Sequence, residues 1–549
     1  MGGVITIAEL ADDLLDVIAA ENPLNEFLDD HPGFEDQLGD PGEAAQQALR
    51  EDALSIAAKA RGLGTNDWVT RAVVVQQAEA LADRLNARLV EHTMHDFEVC
   101  AIAKLLNGLP ETKPGTADQE RSYLDRLAAI PEFLVKSAAR HRSGLAAGRS
   151  PIAYRAQSAV DYLDRYLANP GGDPLRKVPV DDVAARDRLI DSVVRPAFAT
   201  YRTVLSEFTA SGRPEDRPGL CWLPDGDAHY AALARGHTTT GRTAEDLHQT
   251  GLEMIERLAA EYVEIGARVF GVRTVEAVHN RLRADPAMRY RSADEVLAIP
   301  RAAIGRAEKA APDWFGRIPE QRCEVRPVPV EKAPHTSVAS YLPGTADGSR
   351  PGIYFANTYK AEERDRYIAE TNAFHEAVPG HHFQITLAQQ LTHLPKLRRV
   401  ARINAYLEGW SLYCERFADE IGLYSDDLAR LGMLALESTR TARLVVDTGL
   451  HAFGWSRQRV VGYLRANTVM NEVEVQQETD RYIEWPGQAL SYMVGKLEVQ
   501  RIRARAARTM GSAFDLKAFH DLVLGSGPLP LAVLDGVVAE WEAASQSAV

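Results

Sequence analysis

The sequence predicts a mostly α-helical protein with one small β-sheet. Two observations point there. Apolar residues recur at helical spacing through most of the 549 residues. β-branched and aromatic residues edged by proline concentrate in a single stretch, 321–358. A third bounds the class: no run of about 18 apolar residues occurs, so no membrane span is expected.

Helical spacing appears first at 5–20 and 43–62. Residues 66–107 read as one long helix or two, with a heptad-like pattern through Val73, Ala80, Leu81, Leu85, Leu89 and Phe97. Loop signals at 108–117 and 169–175 separate further helices at about 119–143, 150–168 and 181–209. The Gly- and Pro-rich stretch 211–226 reads as an ordered loop. Thr243 followed by Asp246 marks an N-cap that opens a helix through about 268. Another helix starts near Ser292, with Asp294 and Glu295 in its first turn. CEVRPVPVEK and RPGIYFANTY read as short strands. Beyond Glu362 the helices are 362–392, 397–421, 426–453, 456–476 and 486–510, with one or two more over 513–546. The change of character places a boundary at 320: a helical lobe over 1–320, and a lobe with the short sheet over 321–549.

Composition narrows the partners. Hydrophobic residues make up 45% and charged residues 25%, the ordinary globular range. Lys plus Arg is 62 against 77 for Asp plus Glu, a net charge of −15. Such a chain repels phosphate backbones, so neither a nucleic-acid nor a membrane partner is expected. Cys100, Cys221, Cys323 and Cys414 form no C-x-x-C pair and read as thiols of a reducing compartment. The N-terminus has no basic region before its apolar residues and does not read as a signal peptide. A cytoplasmic location is expected.

The strongest local signal is HEAVPGHH at 375–382, which holds three of the 15 histidines. Zinc prefers imidazole nitrogen and carboxylate oxygen, and a catalytic site keeps one position open. The common helical solution is H-E-x-x-H, with both His on one face and Glu as general base. Here His381 and His382 follow His375 by six and seven residues. On a straight helix those gaps are roughly 9 and 10.5 Å along the axis. Pro379 breaks the helical ladder and Gly380 accepts unusual backbone, so the step can fold a later histidine back. If two residues are looped out, the segment is an expanded H-E-x-G-H with His375 and His381 as ligands. If three are looped out, His382 replaces His381. The first is preferred because Gly380 then directly precedes the ligand. Glu408, on the helical segment AYLEGWSLYCE, is the third ligand. Glu415 shares its face seven residues on and orients a ligand from behind. Glu376 is the general base, and Zn2+ is the expected cofactor.

At HEAVPGHHFQ, EGWSLYCE, RLVVDTGLHAFGWS and RYIEWPGQALSY the chain resembles a bacterial family known as domain of unknown function 885. GLCWLPDGDAHY and HTTTGRTAEDLH match more loosely. That family resembles the helical gluzincin zinc peptidases of thimet oligopeptidase and carboxypeptidase Taq style. Their ligand Glu followed seven residues later by a second Glu is matched by Glu408 and Glu415. Their H-E-x-G-H is interrupted here by two residues.

The resemblance implies a large two-lobed helical body with a deep cleft, acting as a zinc metallopeptidase on short peptides or other small amides. It implies oxyanion donors from the C-terminal region. Tyr492, about two turns into a helix opened by Pro486, is the first candidate and His451 the second. Arg443, Asp447 and His451 recur every fourth residue, so they share a face and can pair. Arg443 or Arg481 can hold a substrate carboxylate. RPGIYFANTY is the expected substrate-pairing edge strand, lined by Tyr354 and Asn357, with a buried core strand as the alternative. His335 and Tyr341 are further cleft candidates. Three other readings stand beside the peptidase: a peptidase-like binding protein without catalysis, a metal-dependent hydrolase of a non-peptide amide, and a closed structural zinc site with His382 as fourth ligand.

Overall fold

In a computed structural model that describes residues 5–25, 28, 31–94, 100–330, 332–345 and 348–547, the chain is mostly helical with one three-stranded mixed sheet. It divides into two units. The first comprises 1–236, 449–460 and 480–486, and the second 237–448, 461–479 and 487–549. The expected boundary at 320 therefore falls inside the second unit. Helices Ala244–Phe270 and Ala293–Trp314 pack with the C-terminal helices of that unit. Tyr262 bonds Ser438 at 3.1 Å, and the backbone N–H groups of Gly316 and Arg317 donate to Asp521 at 2.8 Å. The change of composition at 321 marks a change of secondary structure within one unit.

In the first unit, Tyr123, Leu127, Ile130, Phe198 and Phe208 form a fully buried core. The stretch 66–107 is not continuous helix. Trp68–Asn86 is helical, and Arg88 then takes left-handed backbone with φ 53°. The buried Glu91 carboxylate pairs with Arg88, Arg140 and Arg149 and fixes this reversal. Phe97 lies outside the described residues. Residues 183–211 are helical with a π turn at Ile190–Val194, just before Pro196, whose missing N–H interrupts the α ladder.

In the second unit the N-caps lie where the residues place them. Thr243 accepts from the Asp246 N–H, and Ser292 from the Glu295 N–H. Strand β1 (Cys323–Pro327) runs parallel to β3 (Gly352–Ala356), and β2 (Ala339–Leu342) runs antiparallel to it, in the order β1-β3-β2. The expected helix over 362–392 is two, Ala369–Glu376 and His381–Gln389, here called the first and second histidine helices. The expected helix over 456–476 is also two, Arg457–Asn467 and Glu472–Glu484. Asn471 caps the second: its side chain accepts from the Glu474 N–H while Glu474 accepts from the Asn471 N–H. Among the described residues no helix is long and apolar enough to cross a membrane, and all four cysteines are free.

The glutamate helix, Asn404–Glu420, is buried on nearly every side. It meets the tyrosine helix, Leu490–Met510, at backbone contact. A Cβ on Gly409 would lie 2.4 Å from the Gly495 Cα, and one on Gly495 would lie 1.9 Å from the Ala405 carbonyl oxygen. Further along, Arg503 reaches Tyr413 and Glu420, so the two helices run in the same direction. Gly409→Ala or Gly495→Ala forces them apart. Each is expected to lower stability by about 1–3 kcal/mol with helix content retained, as read by denaturant unfolding followed by circular dichroism. Unchanged unfolding midpoints would contradict this crossing.

Candidate metal centre

The first histidine helix ends at Glu376. Four residues, Ala377–Gly380, turn the chain before the second begins at His381. Gly380 has φ −75°, so its need for glycine is steric and not conformational. A Cβ there would lie 1.9 Å from the His375 carbonyl oxygen and 2.5 Å from that of Phe374. The glutamate helix holds this turn from outside. The Pro379 carbonyl accepts from the Trp410 indole N–H at 2.9 Å and from the Cys414 thiol at 3.4 Å. Gln384 meets Tyr406, and His381 meets Ser411, so the second histidine helix and the glutamate helix run antiparallel.

This packing brings His375, His381 and Glu408 together. Their ligand atoms all lie within 4.8 Å of one another. The Glu408 Oε2 is 3.4 Å from the His375 Nε2 and 3.6 Å from the His381 Nε2. The two imidazoles sit 4.9 Å apart at 87°. A tetrahedral ion with bonds of about 2.0–2.1 Å spaces its ligand atoms roughly 3.3 Å apart, close to both Glu408–histidine distances, and the donor types suit zinc. Each histidine is tied at its other nitrogen: His375 Nδ1 to Glu415 at 2.7 Å, His381 Nδ1 to the Ser411 hydroxyl at 3.0 Å. That leaves both Nε2 atoms facing Glu408. His375 is buried, whereas His381, Glu408 and Glu376 are partly exposed, so the group opens to one side.

His382 turns the other way. Its Nδ1 meets the Tyr341 hydroxyl at 2.9 Å and its Nε2 the Gln321 carbonyl at 2.8 Å. Gly352 makes room for this pair, since a Cβ there would lie 2.7 Å from the His382 Nδ1. His382 is thus anchored at the sheet, away from the ligand group, and Tyr341 is its partner. The side chain of His335 lies outside the described residues.

The substrate-edge expectation for Tyr354 and Asn357 is corrected. β3 is the central strand, and both its edges are taken by β1 and β2. Tyr354 is buried, near enough to Glu376 to feel its charge. Burial, and then the neighbouring Tyr290 and Glu376, push its phenol well up. The buried Asn357 amide donates to the carbonyls of Ala333, Thr336 and Ser337 and accepts from the Tyr359 N–H, so it organises a loop.

The oxyanion role for His451 is corrected too. It lies in the first unit, fully buried. Its Nδ1 accepts from the Leu220 N–H at 3.1 Å, so its hydrogen is on Nε2, which donates to the Tyr482 carbonyl at 2.8 Å. No hydrogen is left to donate. Arg481 belongs to the same unit and lies over Trp485.

Tyr492 stands in the first turn of its helix, not two turns in, because the helix begins at Leu490. It lies one turn before Gly495, level with the start of the glutamate helix. The Arg443 guanidinium lies 4.4 Å from its ring centre and bonds Glu478 at 2.9 Å. Asp447 accepts from the Gly487 N–H at 3.1 Å. Residue spacing alone gives no sign of Trp410 or Cys414. Ser411 is within its reach, because Glu408, Ser411 and Glu415 are three and four apart on one face.

A family of bacterial proteins of unknown function, DUF885, matches residues 27–538. The chain belongs to that family. It is similar to a protein of known structure from Colwellia psychrerythraea described as a "putative lipoprotein", at 26% identity and a TM-score of 0.89, covering 98% of this chain and 99% of the other. A second, from Shewanella oneidensis and described as a "putative lipoprotein of unknown function", is 17% identical with a TM-score of 0.73, covering 98% and 100%. At that identity the likeness shows the fold alone. No curated protein matches the sequence.

Charge in this DUF885 site is strongly coupled. Burial pulls the His375 imidazole down, but its bonds to Glu408 and Glu415 outweigh that and push it up. Burial pushes the Glu408 carboxyl up, but the two histidines outweigh that and hold it well below the usual range. The raised His375 therefore keeps a proton at neutral pH, and an entering cation must displace it. Metal uptake by the DUF885 protein is expected to release protons. Its apparent affinity should fall about tenfold per pH unit for each proton displaced as pH drops from 8 to 6, which calorimetry in buffers of different ionisation enthalpy reads directly. Gly380→Ala is expected to abolish high-affinity uptake, whereas His382→Ala keeps its stoichiometry. The reverse result would exchange the two histidines.

Proposed function

We propose that this DUF885 protein is a zinc-dependent metallopeptidase that hydrolyses short peptides or other small amides, with Glu376 as general base. One observation carries the reading. Two imidazole Nε2 atoms and one carboxylate oxygen converge at the spacing of a tetrahedral ion, both histidines are fixed from behind, and one side is open. Structural zinc sites are closed by four protein ligands, and the natural fourth, His382, uses both nitrogens elsewhere. The Glu408/Glu415 spacing shared with helical gluzincins supports the same class.

A zinc ion held by His375, His381 and Glu408 would supply Lewis acidity and a water of lowered pKa. Glu376, half-buried directly after His375, takes the proton of the attacking water and delivers it to the leaving amine. Tyr492, level with the start of the glutamate helix, donates its hydroxyl hydrogen to the oxyanion. Arg443 braces the Tyr492 ring and offers a cation for a substrate carboxylate.

The cytoplasmic location belongs to this proposal and agrees with four free cysteines. The relative from Colwellia psychrerythraea described as a "putative lipoprotein" favours a second reading, attachment at the cell envelope. Fractionation of the native protein separates the two.

Glu376→Gln is expected to lower kcat/KM by about 10²–10⁴-fold with zinc content unchanged, measured with a fluorogenic peptide library and elemental analysis. Tyr492→Phe is expected to lower kcat by about 10²–10³-fold with little change in KM. Zinc-loaded protein that cleaves no library peptide would favour a binding role instead.

A further inference from the structure

The helix Asp427–His451 carries a guanidinium that neither the fold nor the proposed chemistry uses. From Leu431 to His451 every residue is buried except Leu436 and Arg440, which lie four apart on one face. Arg440 makes one bond, from Nη1 to the Leu436 carbonyl at 3.5 Å, the outer limit of a hydrogen bond. Its Nε is buried without a partner, and no carboxylate among the described residues pairs with it. Arg443, three residues on, is different: Glu478 meets its charge at 2.9 Å, and its guanidinium lies 4.4 Å from the Tyr492 ring centre. Two like charges one turn apart repel, and a half-buried cation without an acid costs free energy. Packing does not explain Arg440.

Its position supplies an explanation. A Cβ on Gly432, one turn before Leu436, would lie 1.9 Å from the Tyr367 carbonyl oxygen. This end of the face therefore lies against the chain that leads into the first histidine helix. At the other end Arg443 meets Tyr492. Arg440 stands between the two, and its bond to Leu436 turns its guanidinium back toward the Gly432 end. Exposure agrees with this placement. The first histidine helix is buried except at Glu376, and residues 490–496 are buried except at Tyr492. Three buried helices thus reach solvent at Glu376, at Tyr492 and at Leu436 with Arg440. A guanidinium is a planar fork that matches a carboxylate with two parallel bonds.

We propose that Arg440 is the specificity-determining residue of the peptidase site: its guanidinium binds a carboxylate of the substrate beside Tyr492. The substrate class is then short peptides with a carboxylate near the cleaved bond, at the C-terminus or on an Asp or Glu side chain. Arg443 backs this contact, since Glu478 already meets its charge and its guanidinium fixes the Tyr492 ring. The inference rests on the peptidase reading for the place of the site, but it concerns binding, which is measured apart from cleavage.

The test uses the full chain supplemented with zinc and a pentapeptide library made twice, with a free C-terminal carboxylate and with a C-terminal amide. Mass spectrometry reads cleavage by the parent, Arg440→Gln and Arg440→Lys. It reads capture without cleavage in Glu376→Gln, alone and combined with each Arg440 substitution. Free acids are expected to be captured and cleaved in preference to amides. Arg440→Gln is expected to raise their KM about 10–100-fold, with kcat, zinc content and unfolding temperature unchanged. Arg440→Lys keeps the charge but loses the fork, so it should fall between, and it carries the test if Arg440→Gln does not fold. Amides captured only when they hold Asp or Glu, in an Arg440-dependent way, would assign the contact to a side-chain carboxylate. No preference for either kind of carboxylate, or a preference that survives Arg440→Gln, overturns the proposal. Arg440-dependent capture by a protein that cleaves nothing defeats the peptidase reading and leaves this one standing. A chain that neither captures nor cleaves any peptide overturns both.

Discussion

The Pro379 carbonyl, gripped by the Trp410 indole and the Cys414 thiol, is the contact on which the centre depends. A helix carrying histidines six residues apart holds them on different levels. Here the chain leaves the helix for four residues and starts again. The free carbonyl this creates would be costly if left unpaired inside the protein. The glutamate helix offsets that cost with Trp410 and Cys414, and its adjoining stripe carries Glu408, Ser411 and Glu415. Fixing the turn and assembling the donor set are therefore one packing event.

That packing has its own requirement. The glutamate helix can bring its polar face to the turn only because its opposite side needs little room. Gly409 and Gly495 let two helix backbones touch. Larger residues would move the Glu408 level away from the histidines by a fraction of an ångström to an ångström or so, and outer-shell geometry is sensitive at that scale.

How much of this is readable from residues differs by element. The histidine group, Glu408 and the partner of His375 follow from donor chemistry and helical periodicity, both local properties. The central place of β3 does not. RPGIYFANTY has the same composition whether its edges are paired or free, and only the arrival of β1 and β2 decides. His451 misleads for a related reason. A helix face shared with Arg443 and Asp447 looks functional in one dimension, but the Leu220 N–H and the Tyr482 carbonyl come from distant segments and use both ring nitrogens. Breaks inside expected helices, at 377–380 and 468–471, are hard to place because apolar periodicity continues across them.

The sequence by itself determined the class of the fold, the caps of its helices and the donor types gathered around a Pro-Gly step. These depend on interactions within a few residues, where side-chain chemistry and backbone sterics are written in order. The tertiary structure alone decided which histidine turns toward Glu408, because His381 and His382 are adjacent and chemically alike. Ser411 lies waiting for one, and Tyr341 with the Gln321 carbonyl for the other. No property of the two residues distinguishes them; their neighbours do.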